Sequence, residues 1–333
     1  MPILVGVLIA VIVVSAVVAI GVGAVPITPG EVLNALGAGV QGRGSGATDF
    51  IVWQLRTPRL LEALLVGAGL ATAGALVQVL VHNPIADPYT LGLSSGASLG
   101  AVAILTSIGI GTSTGLSLPI GAFTGAAIAG VIVFLFATSS SGINAGRLVL
   151  VGIAIGQLLS GLTSFLVLRT GDSDATQQVM FWLLGSLSGA TWQLLGIATP
   201  PVVLMFVALA FLTRRLDLLS LGDATASALG IHPGRTRILV FALAAVLTGT
   251  VVAISGTIGF VGLVIPNLAR MLVGGRHRRL LPISALLGAL LMLLADTGAR
   301  TLLAPTELPV GIITALVGVP VFVAVVRKAG VRS

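Results

Sequence analysis

Ten stretches of this chain are each apolar for about twenty residues, and no other feature constrains its fold as strongly. They run over roughly 3–25, 60–81, 91–110, 118–137, 148–168, 193–212, 238–257, 259–274, 281–298 and 308–327. A helix rising about 1.5 Å per residue needs about 20 such residues to cross the hydrocarbon layer of a bilayer. Composition agrees, because 56% of the 333 residues are hydrophobic and only 8% are charged, against about 25% charged in soluble domains. A water-soluble fold would lack the polar side chains to cover its surface. The expected fold is an all-α polytopic membrane protein, a single transmembrane domain over 1–333, whose 44 glycines let helices approach closely. The first run has no basic segment ahead of it and is too long for the core of a secretory leader, so it reads as a helix. The boundary near 257–259 is weakly marked, since Gly256 and Gly259 lie in nearly continuous apolar sequence. Segment 178–190 (QVMFWLLGSLSGA) is too short to span. It reads as a partial or re-entrant helix, which is tolerated only inside protein or beside a watery cavity.

Charge orients the runs. With the N-terminus inside, the inner segments hold Arg147, Arg214, Arg215, Arg235, Arg237, Arg270, Arg276, Arg278, Arg279, Arg327, Lys328 and Arg332. The outer segments hold Arg43, Arg56, Arg59, Arg169 and Arg300, with the acids Glu31, Asp49, Asp172, Asp174 and Glu307. Basic residues concentrate on the cytoplasmic side of membrane proteins, so both termini are expected there. A net charge of +7 scattered in short clusters, with a single Tyr, suits a membrane surface rather than nucleic acid. Arg56 and Arg59, in LRTPRLLEALL, stand on the disfavoured side, as does Arg300 beside Asp296. Snorkelling to outer headgroups, an Arg59–Glu62 pair one helical turn apart, and a docking point for an acidic partner all fit this placement.

What is missing excludes several functions. No GxxxxGK[ST] phosphate loop exists, and the only lysine is Lys328, so the chain has no Walker-type ATP site. No acid lies in the middle of a run, where ion-coupled carriers place their titrating groups. His82, His232 and His277 fall at separate loop positions and lack the spacing of a metal site, so they are expected as solvated side chains. Cysteine is absent, which removes disulfides and thiolate chemistry. No Ser–His or paired-acid site lies at depth. The chain reads as a conduit without its own motor.

Two further patterns bear on architecture. Segments 67–84 and 249–266 align at one offset, pairing Gly67 with Gly249, Ala71 with Ala253, Gly74 with Gly256 and Pro84 with Pro266. One copy runs inward and the other outward, as in inverted-repeat transporters. The inner loop 213–237 carries two short apolar patches, Leu216, Leu219 and Leu221, then Ala224, Ala228 and Leu229, split by Leu221–Gly222–Asp223 and stopped by Gly230 and Pro233. Such a short helix suits a partner's groove, and equally a lipid surface.

Six blocks in order resemble the FecCD family of permeases, the membrane subunits of type II ABC importers for iron-siderophores, haem and cobalamin. They are RTPR at 56–59, GALVQVLVHNPIADPYTLGLSSGASLG at 74–100, FWLLGSLSGATW at 181–192, LGDATASALGI at 221–231, GFVGLVIPNLAR at 259–270 and ELPVGIITALVGVPVF at 307–322. The resemblance implies a dimer of ten-helix subunits, homomeric or with a related chain, in a bacterial cytoplasmic membrane. Two ABC ATPases would bind ATP and Mg, with no cofactor in this chain, and a substrate-binding protein would dock outside. Arg56, Arg59 and Arg300 match the family's docking arginines. Leu219, Leu221, Gly222, Asp223, Ala224, Ala228, Leu229 and Gly230 match its ATPase-coupling segment, with Asp223 where many relatives have Glu, a change expected to leave helix capping intact. Met180, Phe181, Trp182, Leu184, Gly185 and Ser186 match a region near the translocation path, and packing fits the aromatics equally. Asn83, Pro84 and Ile85, with Asn144, Ala145 and Gly146, match a cytoplasmic gate, although Asn83–Pro84 also fits plain turn punctuation. The expected cargo is a ferric siderophore. Haem, cobalamin and, from another class, ion-coupled transport are the alternatives.

Overall fold

The computed structural model describes residues 1–23, 25–44, 46–108, 115–139, 142–170, 173–304 and 306–330, with side chains left out at 108, 139, 142–143, 170, 173–175, 326 and 328–330. Every expected run is a helix: α1 (Pro2–Gly21), α4 (Thr57–Leu80), α5 (Leu93–Ile108), α6 (Ser117–Ala137), α7 (Ala145–Thr170), α9 (Trp192–Leu219), α11 (Pro233–Ser255), α12 (Val261–Val273), α13 (His277–Thr301) and α14 (Val310–Gly330). Between them lie α2 (Pro29–Val40), α3 (Ala47–Phe50), α8 (Ser173–Leu183) and α10 (Asp223–Ala228). A two-residue hairpin, β1 (Thr138–Ser139) with β2 (Gly142–Ile143), joins α6 to α7. Asp172 lies outside the described residues.

The helix α4 is the hub. It packs against α9, α11, α12 and α13, and nearly all its residues are buried. Its apolar side chains share one core with α11, α12 and α13. Small residues make this possible. A Cβ built on Gly67 would lie 2.2 Å from the Gly288 carbonyl oxygen, and one on Gly288 would meet the Gly67 oxygen at 2.2 Å. Backbones this close gain dispersion and carbonyl contacts that lipid cannot supply. Ahead of α4, α3 continues through a π-helical turn, Ile51–Arg56, into Thr57 and Pro58. Pro58 has no N–H to give, so a wide turn here is the expected response. Thr57 Oγ1 donates to the Val52 carbonyl at 2.7 Å and satisfies part of it. By contrast, α1 is peripheral, with only Leu8, Ala19 and Ile20 buried among its twenty residues.

The repeat holds in direction but not in detail. The helices α4 and α11 run antiparallel, since Gly69 meets Leu247 and Val251 while His82 reaches Arg237. Yet Gly74 lies inside unbroken α4, whereas its partner Gly256 ends α11 with φ of +70°. Glycine adopts that backbone without strain, and other residues rarely do. The aligned segment 249–266 therefore crosses a break into α12 that the first copy lacks.

Candidate functional site

The first cluster sits where α4 and α13 share one end. Arg59 Nε donates to Asp296 Oδ1 at 2.9 Å, and Arg59 Nη1 reaches Glu307 at 2.8 and 3.1 Å. Arg300 Nε lies 3.1 Å from Asp296 Oδ2, and Arg300 Nη2 donates to the Ala19 carbonyl at 3.1 Å. Arg56 donates to the carbonyls of Ile20 and Val25, the latter at 2.7 Å. Of the three readings, the Arg59–Glu62 pair does not form. Glu62 is fully buried without a hydrogen-bond partner among the described residues, and Arg59 turns to carboxylates 237 and 248 residues away. Geometry explains the choice, because Asp296 accepts from Arg59 while forming an ion pair with Arg300. All three arginines are thus engaged within the chain, Arg59 and Arg300 being only 12% and 11% exposed while Glu307 is 44% exposed.

A second cluster joins three broken backbones. The expected partial helix α8 ends at Leu183, earlier than 178–190 suggested, because Gly185 takes φ of +77°. Val310 N–H then donates to the Gly185 carbonyl at 3.0 Å and Gly311 N–H to Leu184 at 3.2 Å. Ser186 N–H donates to the Ser255 carbonyl at 2.9 Å, and the Thr257 hydroxyl bonds the Leu183 carbonyl. Non-helical backbone within a membrane must be satisfied by protein, and here the end of α8, the α11–α12 break and the start of α14 satisfy each other. Met180, Phe181 and Leu184 are exposed beside this junction, Trp182 and Ser186 are half-buried, and Gly185 is buried. The break itself, with Phe260 at φ of +69°, is the part sequence reasoning marked least firmly. Its signal was Gly256–Thr257–Ile258–Gly259, an interruption inside an apolar run.

The third cluster lies at the opposite end. Helix α9 continues to Leu219, so loop 213–237 is shorter than expected. Leu216 and Leu219 are fully buried in the core and cannot serve as exposed knobs. Leu221 and Leu229 are exposed, as are Ala224 and Ala228. Gly222 and Gly230 bracket α10 at positive φ. Gly222 is the N-cap residue, so Asp223 does not cap the helix. Its carboxylate instead accepts from Arg237 at 2.7 Å. Arg237 Nη2 lies 3.5 Å from His82 Nδ1, and His82 Nε2 lies 2.9 Å from the Leu219 carbonyl. The contacts assign a proton to Nε2, with Nδ1 accepting. His82 is exposed, as expected of a loop histidine, but these contacts hold its ring, and at φ of +52° it turns the chain into Asn83–Pro84–Ile85. His277, by contrast, is not a solvated loop residue. It is 2% exposed, and its Nδ1 lies 2.6 Å from Asp217.

The turn at 83–85 is held from the other side too. Asn267 Nδ2 donates to the Pro84 carbonyl at 2.8 Å, Arg270 bonds Asn267 at 2.9 Å and Gln78 at 3.2 Å, and Gln78 reaches the Leu263 carbonyl at 3.2 Å. Gln78, Asn267, Arg270, His82 and Arg237 were not among the expected site residues, although the first four stand inside the quoted blocks. Next along, Asp87 Oδ1 accepts from Tyr89 N–H, and burial pushes its carboxyl up to about 6 against the lowering effect of the Tyr89 and Leu263 amides. Asn144 accepts from Arg147 N–H and opens α7, while Ala145 is half-buried and Gly146 exposed. Among the described residues no group of three His, Cys, Asp or Glu is placed to hold a metal.

Comparison with known proteins fits this architecture. The FecCD transport family matches residues 8–328. The Fe(3+)-citrate import system permease protein YfmE of Bacillus subtilis (strain 168) is 40% identical over 314 residues, covering 94% of this chain and 91% of the relative. The cobalamin import system permease protein BtuC of Halobacterium salinarum is 41% identical over 283 residues, covering 85% and 75%. A solved structure described as an inward-facing conformation of a metal-chelate type ABC transporter superposes with a TM-score of 0.86 at 34% identity, over 98% of this chain and 100% of that one.

Proposed function

The chain belongs to the FecCD transport family, and we propose that it carries a ferric siderophore through the bacterial cytoplasmic membrane, driven by ATP hydrolysed on a partner chain. That it is a multi-pass ABC importer permease, a transport subunit rather than an enzyme, follows from the family and the fold. The ATP coupling is supported by one observation above others, the unbroken path from α10 to the turn at 83–85. An ATPase groove would grip Leu221, Ala224, Ala228 and Leu229, and any displacement of α10 would pull on Arg237 through Asp223 and on His82 through Arg237. The turn at Asn83, Pro84 and Ile85, with Asn144, Ala145 and Gly146, is the proposed gate on that side.

In this scheme both termini are cytoplasmic, and two permease subunits, identical or related, enclose the path lined at Met180, Phe181 and Leu184. Those neutral side chains would pass a bulky chelate without holding it. Affinity would then lie in an extracytoplasmic binding protein docking at Arg56, Arg59 and Arg300. Its carboxylate would take the place of Glu307, the more exposed of the two acids on Arg59. ATP and Mg belong to the ATPase.

The test is purification of the tagged chain from iron-limited cells, followed by uptake in proteoliposomes. We expect an ABC ATPase to co-purify, and ATP-dependent accumulation of a radiolabelled ferric siderophore once the binding protein is added. Accumulation of cobalamin or haem instead would reassign the cargo. Uptake that ignores ATP and collapses with an ionophore would overturn the ATP-coupled scheme. Arg56→Gln, which removes contacts to two backbone carbonyls and leaves the Arg59–Asp296–Arg300 cluster in place, is expected to weaken the response to the binding protein while leaving the ATPase attached.

A further inference from the structure

At the end bearing Asp217 the structure forms a polar cavity of about 440 Å³, lined by Met1, Asp217, Arg276, Arg278 and Arg279. The last turns of α9, the start of α1 and the start of α13 meet around it. The three arginines are exposed, and among the described residues none makes an ion pair. The single carboxylate in the lining is occupied, because Asp217 Oδ1 accepts from the His277 N–H at 2.8 Å and lies 2.6 Å from its ring Nδ1. The cavity therefore has three free guanidinium groups around one committed acid, a strong and unbalanced positive field.

Its surroundings say what kind of anion. Helix α1 seats Leu4, Val5 and Leu8 against Ala269, Leu280 and Ile283 of α12 and α13. Beside these, Ile3 and Val7 are exposed at 82% and 54%. They are four residues apart and so share one face of the helix that starts right after the cavity-lining Met1. Met271 and Leu272, near the end of α12, are exposed as well. Exposed apolar side chains thus follow the cavity-lining Met1 on α1, a peripheral helix, and precede the cavity-lining Arg276 at the end of α12. A soluble anion would use only the arginines, and an ATPase would need a polar approach that bare α1 does not offer.

We propose that this cavity binds the phosphodiester headgroup of an anionic phospholipid, with its acyl chains lying along Ile3 and Val7. Guanidinium groups match phosphate oxygens in paired geometry. Basic pockets between helix ends on the positive side of a membrane protein are the expected seats for such headgroups. The bound lipid would pin α1 to the ends of α9 and α13, close to the segment leading into α10.

The experiment uses delipidated full-length protein in a neutral detergent, titrated with phosphatidylglycerol, phosphatidylcholine or inorganic phosphate. Retained lipid is read by native mass spectrometry, and melting temperature is followed in parallel. Each basic residue near such a surface is worth about fivefold in affinity, so Arg276→Gln/Arg278→Gln/Arg279→Gln is expected to weaken phosphatidylglycerol binding about 100-fold. Arg147→Gln, at the same end but outside the cavity, is expected to leave it unchanged. Phosphatidylcholine is expected to give neither retention nor stabilisation. The proposal fails if phosphatidylcholine is retained as well as phosphatidylglycerol, or if the triple variant binds like wild type. It also fails if inorganic phosphate alone reproduces the stabilisation, which would mark a free-anion site.

Discussion

Arg59 holds two carboxylates, and removing them one at a time separates burial from mere proximity. Asp296 is 2% exposed and serves Arg59 and Arg300 together, whereas Glu307 is 44% exposed and serves Arg59 alone. Asp296→Asn leaves two nearly buried guanidinium groups short of charge, and breaking a buried pair in this way costs about 3–5 kcal/mol. Glu307→Gln breaks a pair that water already screens, worth about 0–1 kcal/mol. Domains of 150–250 residues lose about 2–4 °C per kcal/mol, and a longer chain sits at the low end. Asp296→Asn should therefore melt about 6–10 °C below wild type, and Glu307→Gln within about 2 °C of it. The assay is loss of monodisperse protein on heating in detergent, read by fluorescence-detected size exclusion. The double variant should lose more than the sum, because Arg59 then has no carboxylate in hydrogen-bond reach and neighbouring sites couple. Equal shifts for the two single variants, or a larger one for Glu307→Gln, would refute the assignment of Asp296 as the buried keystone.

Three other outcomes follow from the geometry. His82→Ala should leave folding intact and ATP hydrolysis by the assembled complex largely unchanged while cutting uptake at least tenfold, because the link from α10 to the turn at 83–85 runs through its ring; unimpaired uptake would remove His82 from that link. Gly67→Ala should destabilise the protein by about 1–3 kcal/mol through collision with the Gly288 carbonyl, whereas Gly37→Ala, in α2 with open space around it, should stabilise by up to about 1 kcal/mol; thermal melts of the pair check both. Because the folded-state carboxyl of Asp87 is raised to about 6, the folded chain binds that proton more tightly than the unfolded one, so its contribution is full below about pH 4 and is lost as pH rises to about 6. Asp87→Asn should flatten stability across that window, measured by melts from pH 4 to 7.

Run length was enough to find a helix in each apolar run, because a bilayer fixes how many apolar residues a crossing needs. Among the described residues, however, only seven of these helices are long and apolar enough to cross one, the helices at 93–107, 261–273 and 310–325 being shorter. Run length was poorer at the helix ends. Helix α9 passes Arg214 and Arg215 and reaches Leu219, since a helix can outlast its lipid-facing stretch when Leu216 and Leu219 find a protein core instead. The block spanning Leu221–Gly222–Asp223 pointed to α10, but Asp223 was misread as a cap because its partner Arg237 comes from the next helix. The same limit hid the partners of Arg59. Charge counting grouped the arginine with Arg56 and Arg300, which the structure brings to one end, but Asp296 and Glu307 become its neighbours only once α13 and the lead into α14 fold back on α4. His277 reads as a loop residue from its arginine-rich flanks, and only the return of Asp217 to its side buries it.

The junction of α8, α11 and α14 is made almost wholly by main-chain groups, with carbonyls of Leu184, Gly185 and Ser255 meeting amides of Gly311, Val310 and Ser186. A seam stitched from peptide groups is indifferent to which side chains hang from it. Met180, Phe181 and Leu184 are exposed beside it, so larger, smaller or more polar residues there should leave the seam intact. On the path proposed above, one scaffold of this design could be retailored to cargo of different girth at those few positions.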